Sequence, residues 1–268
     1  MIPAAQLPIG VFDSGIGGLT VARAIMQRLP RENILYFGDT ARVPYGVKSV
    51  ETITQFSTQI ADFLLAQQVK LLIIACNTMA AVAADAIRAR SPVPVLDVID
   101  AGARVAAATT RNRQVGVIGT LTTVGSGAYE RAIRQHGPSV EIHTQACPLL
   151  VPLVEEGWLD HPVTQLTAQE YLAPLLARGI DTLVLGCTHY PLLQLLLHRV
   201  AGEAISLVDS AATTAERTAD RLRELGLLNP GGTEPTHRFF VTDLPQRFQA
   251  VGERFLEQPL ANLEIVRW

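Results

Sequence analysis

The sequence predicts an α/β protein made of two pseudo-symmetric α/β domains, with mostly parallel sheets and the active site in the crevice between them. Three observations carry this reading. Short apolar runs rich in Val and Ile recur along the 268 residues without polar alternation, as strands buried on both faces do. Stretches with helical spacing separate them, so strand and helix alternate along the chain. Two motif pairs also recur at a shared offset of roughly 110 residues, as a duplicated unit would. IGVFDSGIGG from Ile9 pairs with VGVIGTLTTVGSG from Val115, and VKLLIIACNT ending at Thr78 pairs with IDTLVLGCTH ending at His189.

The elements follow in order. Strands are expected over residues 9–12, 34–37, 71–75, 93–98, 115–118, 140–143, 182–185, 205–208 and 238–241. The first helix puts Leu19, Ala22, Ile25, Met26 and Leu29 on one face, and the second does the same with Ile53, Phe56, Ile60, Phe63 and Leu64. Further helices are expected over about 79–90, 101–109, 128–136, 163–177, 192–200, 211–225 and 245–256. Pro30, Pro92, Pro94, Gly137, Pro138, Gly179 and the run Asn229 to Gly232 punctuate them. The duplication divides the chain into a discontinuous first domain, 1–99 plus 211–268, and a second domain, 100–210.

Composition narrows the function classes. A balance of 22 basic against 25 acidic residues gives no polycationic field, so no nucleic-acid partner is expected. No apolar run approaches the ~20 residues that span a bilayer. The N-terminus has no basic region followed by an apolar one. Three cysteines build no disulfide scaffold, and reduced thiols in a cytoplasmic protein are the expectation.

Candidate chemistry gathers at the carboxyl ends of the strands, where open parallel sheets bind ligands. Asp13, Ser14, Cys76, Asn77, Thr120, Cys187 and His189 all fall there. Cys76 and Cys187 each follow a buried strand at the expected start of a helix, where backbone N–H groups and the dipole favour a thiolate. His189, two residues after Cys187, reads as a group that orients or activates that thiol or serves as an acid itself, or as a satisfied polar residue in the turn before Pro191. Asp13 reads as a partner for a cationic ligand group, as a proton-transfer group or as a helix cap. Glu155 reads either as a perturbed carboxylate beside apolar residues or as a surface charge. Thr120 and Thr123 read as donors to a carboxylate or as caps. Gly15, Gly17 and Gly18 match no phosphate-binding loop. The six histidines form no metal-ligand spacing, so no metal is expected. Cys147 reads as packing.

These segments resemble the bacterial glutamate racemases, a family within the cofactor-independent aspartate/glutamate racemase superfamily. The likeness rests on six ordered motifs: IGVFDSGIGGLTV, YFGDTARVPYG, IIACNTMAA, GVIGTLTTVGSGAYE, ACPLLVPLVEEG and LVLGCTHYPLL. It spans Ile9 to about Ser210, and no motif matches after about Leu225. The resemblance implies an isomerase that interconverts L- and D-glutamate without a cofactor and supplies D-glutamate for peptidoglycan precursors. It implies Cys76 and Cys187 as the two catalytic thiols. Asp13 and His189 would assist proton transfer at the first and second thiol, with Glu155 as a further carboxylate. It implies substrate contacts at Asp13, Ser14, Pro44, Tyr45, Gly46, Asn77, Thr78, Thr120, Thr123, Thr188 and His189, and a homodimer. Three other readings stay open, the first a racemase of another acidic amino acid, which would need both thiols. A Cys-dependent hydrolase or decarboxylase needs only one thiol, and a non-catalytic amino-acid binding protein needs neither.

Overall fold

The structure, a computed structural model, describes residues 2–268. In chain order its strands are β1 (Ile9–Asp13), β2 (Ile34–Gly38), β3 (Leu71–Ile74), β4 (Val95–Asp97), β5 (Gln114–Gly119), β6 (Glu141–Ala146), β7 (Thr182–Gly186), β8 (Ser206–Asp209), β9 (His237–Val241) and β10 (Leu263–Ile265). They form two sheets, one ordered β10-β9-β2-β1-β3-β4 and the other β6-β5-β7-β8. Every pairing is parallel. Without β9 and β10 the two sheets have one topology, since 2-1-3-4 and 6-5-7-8 are the same path. The duplication expected from the recurring motifs is therefore present in the strand order.

The central strands β1, β2, β3 and β7 are buried along their whole length, which is why they show no polar alternation. The helices are α1 (Leu19–Arg28), α2 (Val50–Ala66), α3 (Asn77–Arg90), α4 (Val98–Thr109), α5 (Leu121–Gly125), α6 (Ala128–His136), α7 (Leu150–Glu155), α8 (Pro162–Leu176), α9 (Gln194–Ala201), α10 (Ser210–Glu224) and α11 (Pro245–Leu256). Helix α4 packs on β7 and β8, and α1 packs beside β2. Helix α10 packs against both α1 and α4, so it braces the two sheets together. Among the described residues no helix is long and apolar enough to cross a membrane.

Three expectations change locally. The strand expected over 93–98 shortens because the Asp97 carboxylate accepts from the N–H groups of Ile99 (2.8 Å) and Asp100 (3.0 Å). That cap draws Val98 into α4. The helix expected from 192 opens instead as a 3-10 turn, Tyr190–Leu193. Helices α5 and α7 and the strand β10 are additions. Runs of 5, 6 and 3 residues are too short to show a period.

Candidate active site

In each sheet the strand order reverses at the first strand of the unit. β1 lies between β2 and β3, and β5 lies between β6 and β7. Chain connections leave such a strand in opposite directions, which opens a crevice at the carboxyl ends. Ser14 follows β1 and Cys76 follows β3. Thr120 follows β5 and Cys187 follows β7. All four line one cavity of about 450 Å³, a size that suits a small molecule.

Cys76 is the residue before α3 and is buried, with 5% of its surface exposed. Its Sγ lies 3.5 Å from Ser14 Oγ. The lowered thiol pKa expected from a helix N-terminus is not found here. Burial, followed by the nearby Asp13 carboxylate, pushes Cys76 up to about 12, although Ser14 and the Met79 N–H act in the opposite sense. Asp13 does not cap α1, whose capping residue is Gly18. Its Oδ1 accepts from the Gly15 N–H at 2.8 Å. Its buried Oδ2 has no hydrogen-bond partner among the described residues. Burial raises the Asp13 carboxyl above its ordinary value.

The second thiol has a different neighbourhood. Cys187 Sγ lies 3.8 Å from His189 Nδ1, and His189 Nε2 lies 3.1 Å from Glu155 Oε1. The Glu155 carboxylate, at the end of α7, is thus linked to the thiol through one imidazole. Burial alone would favour a neutral ring. The hydrogen bonds to Cys187 and Glu155, together with their charges, outweigh burial and push His189 up to about 10. The bond from His189 holds Glu155 below the usual carboxylate range. Phe255 of α11 packs its ring edge-on against His189 at 5.3 Å. Arg254, also of α11, donates to the Glu155 carbonyl at 2.9 Å.

The remaining candidates divide into wall and support. Pro44, Tyr45, Gly46, Asn77, Thr78 and Thr188 line the cavity, as do Ser14, Thr120, Glu155 and His189. Asp13 and Thr123 are not among the lining residues. Thr123 is buried and shares its hydroxyl with Thr120 (2.9 Å) and Thr78 (3.4 Å). Thr120 both caps α5, accepting from the Thr123 N–H at 3.2 Å, and faces the cavity. Tyr45 is buried and donates its hydroxyl to Asp39. Cys147 is buried outside the cavity, its Sγ 3.6 Å from the Gln145 carbonyl oxygen.

The apolar part of the wall lay outside the sequence candidates. It consists of Ile16, Val43, Val47, Leu121, Pro148, Val151 and Pro152. The apolar run before Glu155 was its only signal. No lysine or arginine is among the lining residues, so the groups on the wall that could donate to a ligand are hydroxyls, the Asn77 amide, the two thiols and the His189 imidazole. Two thiols on one cavity, each with its own proton-handling partners, are equipped to remove and return a proton at one carbon.

Known proteins share this arrangement of sequence and fold. A family model described as Asp/Glu/Hydantoin racemase matches residues 9–218. The chain is 67% identical to a glutamate racemase of Syntrophus aciditrophicus over 97% of its own length and 96% of that protein. It is 62% identical to a glutamate racemase of Neisseria meningitidis, covering 97% of each. Its fold superposes on the crystal structure of glutamate racemase from Francisella tularensis in complex with D-glutamate with a TM-score of 0.93, at 42% identity and 98% coverage of both chains. On a family model that matches most of the chain, and on relatives this similar over nearly all of it, the chain belongs to the Asp/Glu/hydantoin racemase family, in its glutamate racemase branch.

Proposed function

We propose that this chain interconverts L-glutamate and D-glutamate by a two-thiol proton transfer at the α-carbon. The observation that carries the proposal is the pair of cysteines at equivalent strand ends of two sheets of one topology, both on one cavity. A racemase must take the α-proton from one face and deliver one to the other. One thiolate accepts the α-proton, and the carbon keeps the electron pair. The opposite thiol then gives its proton to that carbon and becomes the thiolate, so atoms and charge balance. The reverse reaction exchanges the roles.

The surroundings of the two sulfurs differ. Cys76, pushed up to about 12, holds its proton and stands ready as the acid. Cys187 faces a His189 ring that its bonds to Cys187 and Glu155 favour in the charged form, so a proton donor stands beside the second sulfur. Asp13 is the proton-handling group nearest the Cys76 side. Ser14, Asn77, Thr78, Thr120 and Thr188, together with the Tyr45–Gly46 backbone, are the proposed contacts to the two carboxylates. Preorganised donors of this kind stabilise the negative charge that develops on the α-carboxylate. Pro44 shapes the same wall, and Thr123 holds the hydroxyls of Thr78 and Thr120 in place. No step requires a cofactor or a metal.

We further read the chain as two units, 1–99 with 211–268 and 100–210, that meet across the cavity. We read it as a cytoplasmic enzyme, because the chemistry requires reduced thiols, and as a supplier of D-glutamate for peptidoglycan precursors. Val43, Val47 and Leu121 expose apolar surface at the cavity mouth, which supports a homodimer, testable by light scattering. The decisive test follows L-glutamate in D₂O by NMR and polarimetry. The intact protein exchanges the α-proton and the rotation decays. Cys76→Ala and Cys187→Ala each abolish racemisation in both directions. Racemisation retained by either single variant would overturn the two-thiol assignment.

A further inference from the structure

We propose that Tyr129 is a positioning residue that fixes the side-chain amide of Asn77, so that its N–H₂ is presented to a substrate carboxylate. The inference rests on the glutamate reading above and goes beyond it, because nothing in the sequence motifs gives Tyr129 a role.

Tyr129 lies in the first turn of α6, in the half of the chain opposite Asn77. Its hydroxyl donates to Asn77 Oδ1 at 2.7 Å. Both residues are buried, at 1% and 2% exposure. Asn77 is the first residue of α3, directly after Cys76, and lines the cavity. Its Nδ2 is buried and has no hydrogen-bond partner among the described residues.

A primary amide has one accepting end and one donating end, and a buried tyrosine hydroxyl must place its proton on an acceptor. If the amide were turned over, the Tyr129 proton would lose that acceptor, and Oδ1 would face an anionic ligand. The observed bond selects the other orientation and leaves the donating end of the amide without a protein partner, on a residue that lines the cavity. A buried donor without a partner is costly, and a carboxylate from the ligand satisfies it. Burial also keeps the Tyr129 hydroxyl protonated, raising it above its ordinary value, so it remains a donor at any pH the enzyme meets.

The ring is locked as firmly as the hydroxyl. A Cβ at Gly186, just before Cys187, would stand 2.9 Å from the Tyr129 ring and 2.6 Å from the Ile118 carbonyl oxygen. Tyr129 is therefore wedged against the strand that carries the second thiol, while its hydroxyl holds the residue beside the first.

The test uses the full chain, L-glutamate in D₂O and thermal melting. Tyr129→Phe is close to isosteric and should stay folded, with kcat/KM lowered roughly 10- to 100-fold, the worth of one hydrogen bond to a charged group. Most of the loss should appear in KM. In an Asn77→Ala background the same substitution should cost less than about threefold, because the two residues act as one unit. Asn77→Asp keeps an acceptor for Tyr129 but removes the donor, and should lose activity by at least the same factor. Unchanged kcat/KM in Tyr129→Phe, an undiminished loss in the Asn77→Ala background, or full activity in Asn77→Asp each overturns the proposal. If the unsubstituted protein exchanges no α-proton, the parent reading fails first, and this inference goes with it.

Discussion

His189 sets the electrostatics around the second thiol, and the effect should be visible in stability. Its folded pKa of about 10 exceeds the ordinary 6.5. A group raised in this way binds its proton more tightly in the folded state. Its stabilisation is complete below about pH 6.5 and is lost as pH rises through 10. We predict that the melting temperature falls between pH 7 and pH 10, and that this decline is weaker in His189→Asn, measured by calorimetry across that window. An equal decline in both proteins would refute the assignment. Glu155 has the opposite dependence: its lowered pKa contributes stability above the ordinary carboxylate range and loses it in acid. At this scale much of the wall was legible in the sequence. Cys76, Cys187, Asn77 and His189 stand at strand ends, where parallel sheets open. The Glu155–His189 bond was not legible, because 34 positions separate the two and only the packing of α7 brings them together. The thiol pKa at Cys76 was misread for a related reason: burial and Asp13 act through space and leave no mark on the local pattern.

Among the elements, the turn after β1 and the turn after β7 approach closely. Thr20 Oγ1 donates to the Thr188 carbonyl at 3.2 Å. A Cβ at Gly17 would stand 2.2 Å from Thr188 Oγ1 and 2.6 Å from His189 Nδ1. Only glycine permits this approach, which gives that glycine of the GIGG turn a role no phosphate explains. Gly17→Ala should push the His189 turn away from Cys187. We expect kcat/KM to fall about 100-fold, the scale of loss for a displacement near 1 Å at reacting groups, with the secondary structure intact by circular dichroism. Activity within a few-fold of the parent protein would show that the turn relaxes without consequence. The elements themselves were mostly legible, since buried strands and amphipathic helices declare their period. α5, α7 and β10 were not, and two of the three matter to the site. Thr120 caps α5 and Glu155 ends α7, so the shortest helices carry cavity-lining side chains where periodicity says least.

For the molecule as a whole, one buried ion pair ties distant segments together. Lys70 Nζ meets Glu32 Oε2 at 2.5 Å and donates to the carbonyls of Ala5 (2.6 Å) and Leu227 (2.8 Å). Glu32 Oε1 in turn accepts from the Asn229 N–H at 2.8 Å. This cluster joins the N-terminal segment, the start of β3 and the chain leaving α10. Removing one partner strands a buried charge, so Lys70→Ala should cost on the order of 3–5 kcal/mol, read as a lower urea midpoint. A midpoint unchanged within error would mean that water reaches Glu32. Nothing in the sequence marks Lys70 beyond its rarity. Its partners come from three separate parts of the chain, and only the finished fold brings them together.

The late strands have a consequence for how the enzyme is made. β5 to β8 are all in hand once residue 209 has been synthesised, so the four-stranded sheet can close while the ribosome is still at work. The six-stranded sheet begins earlier but must wait. β2 stays an open edge until β9 arrives, around residue 241, and α11, which backs His189 and anchors the end of α7, comes later still. Domains fold in the order they emerge. Here the sheet that starts first finishes last, and a nascent chain holds both thiols well before the sheet that carries Cys76 is complete.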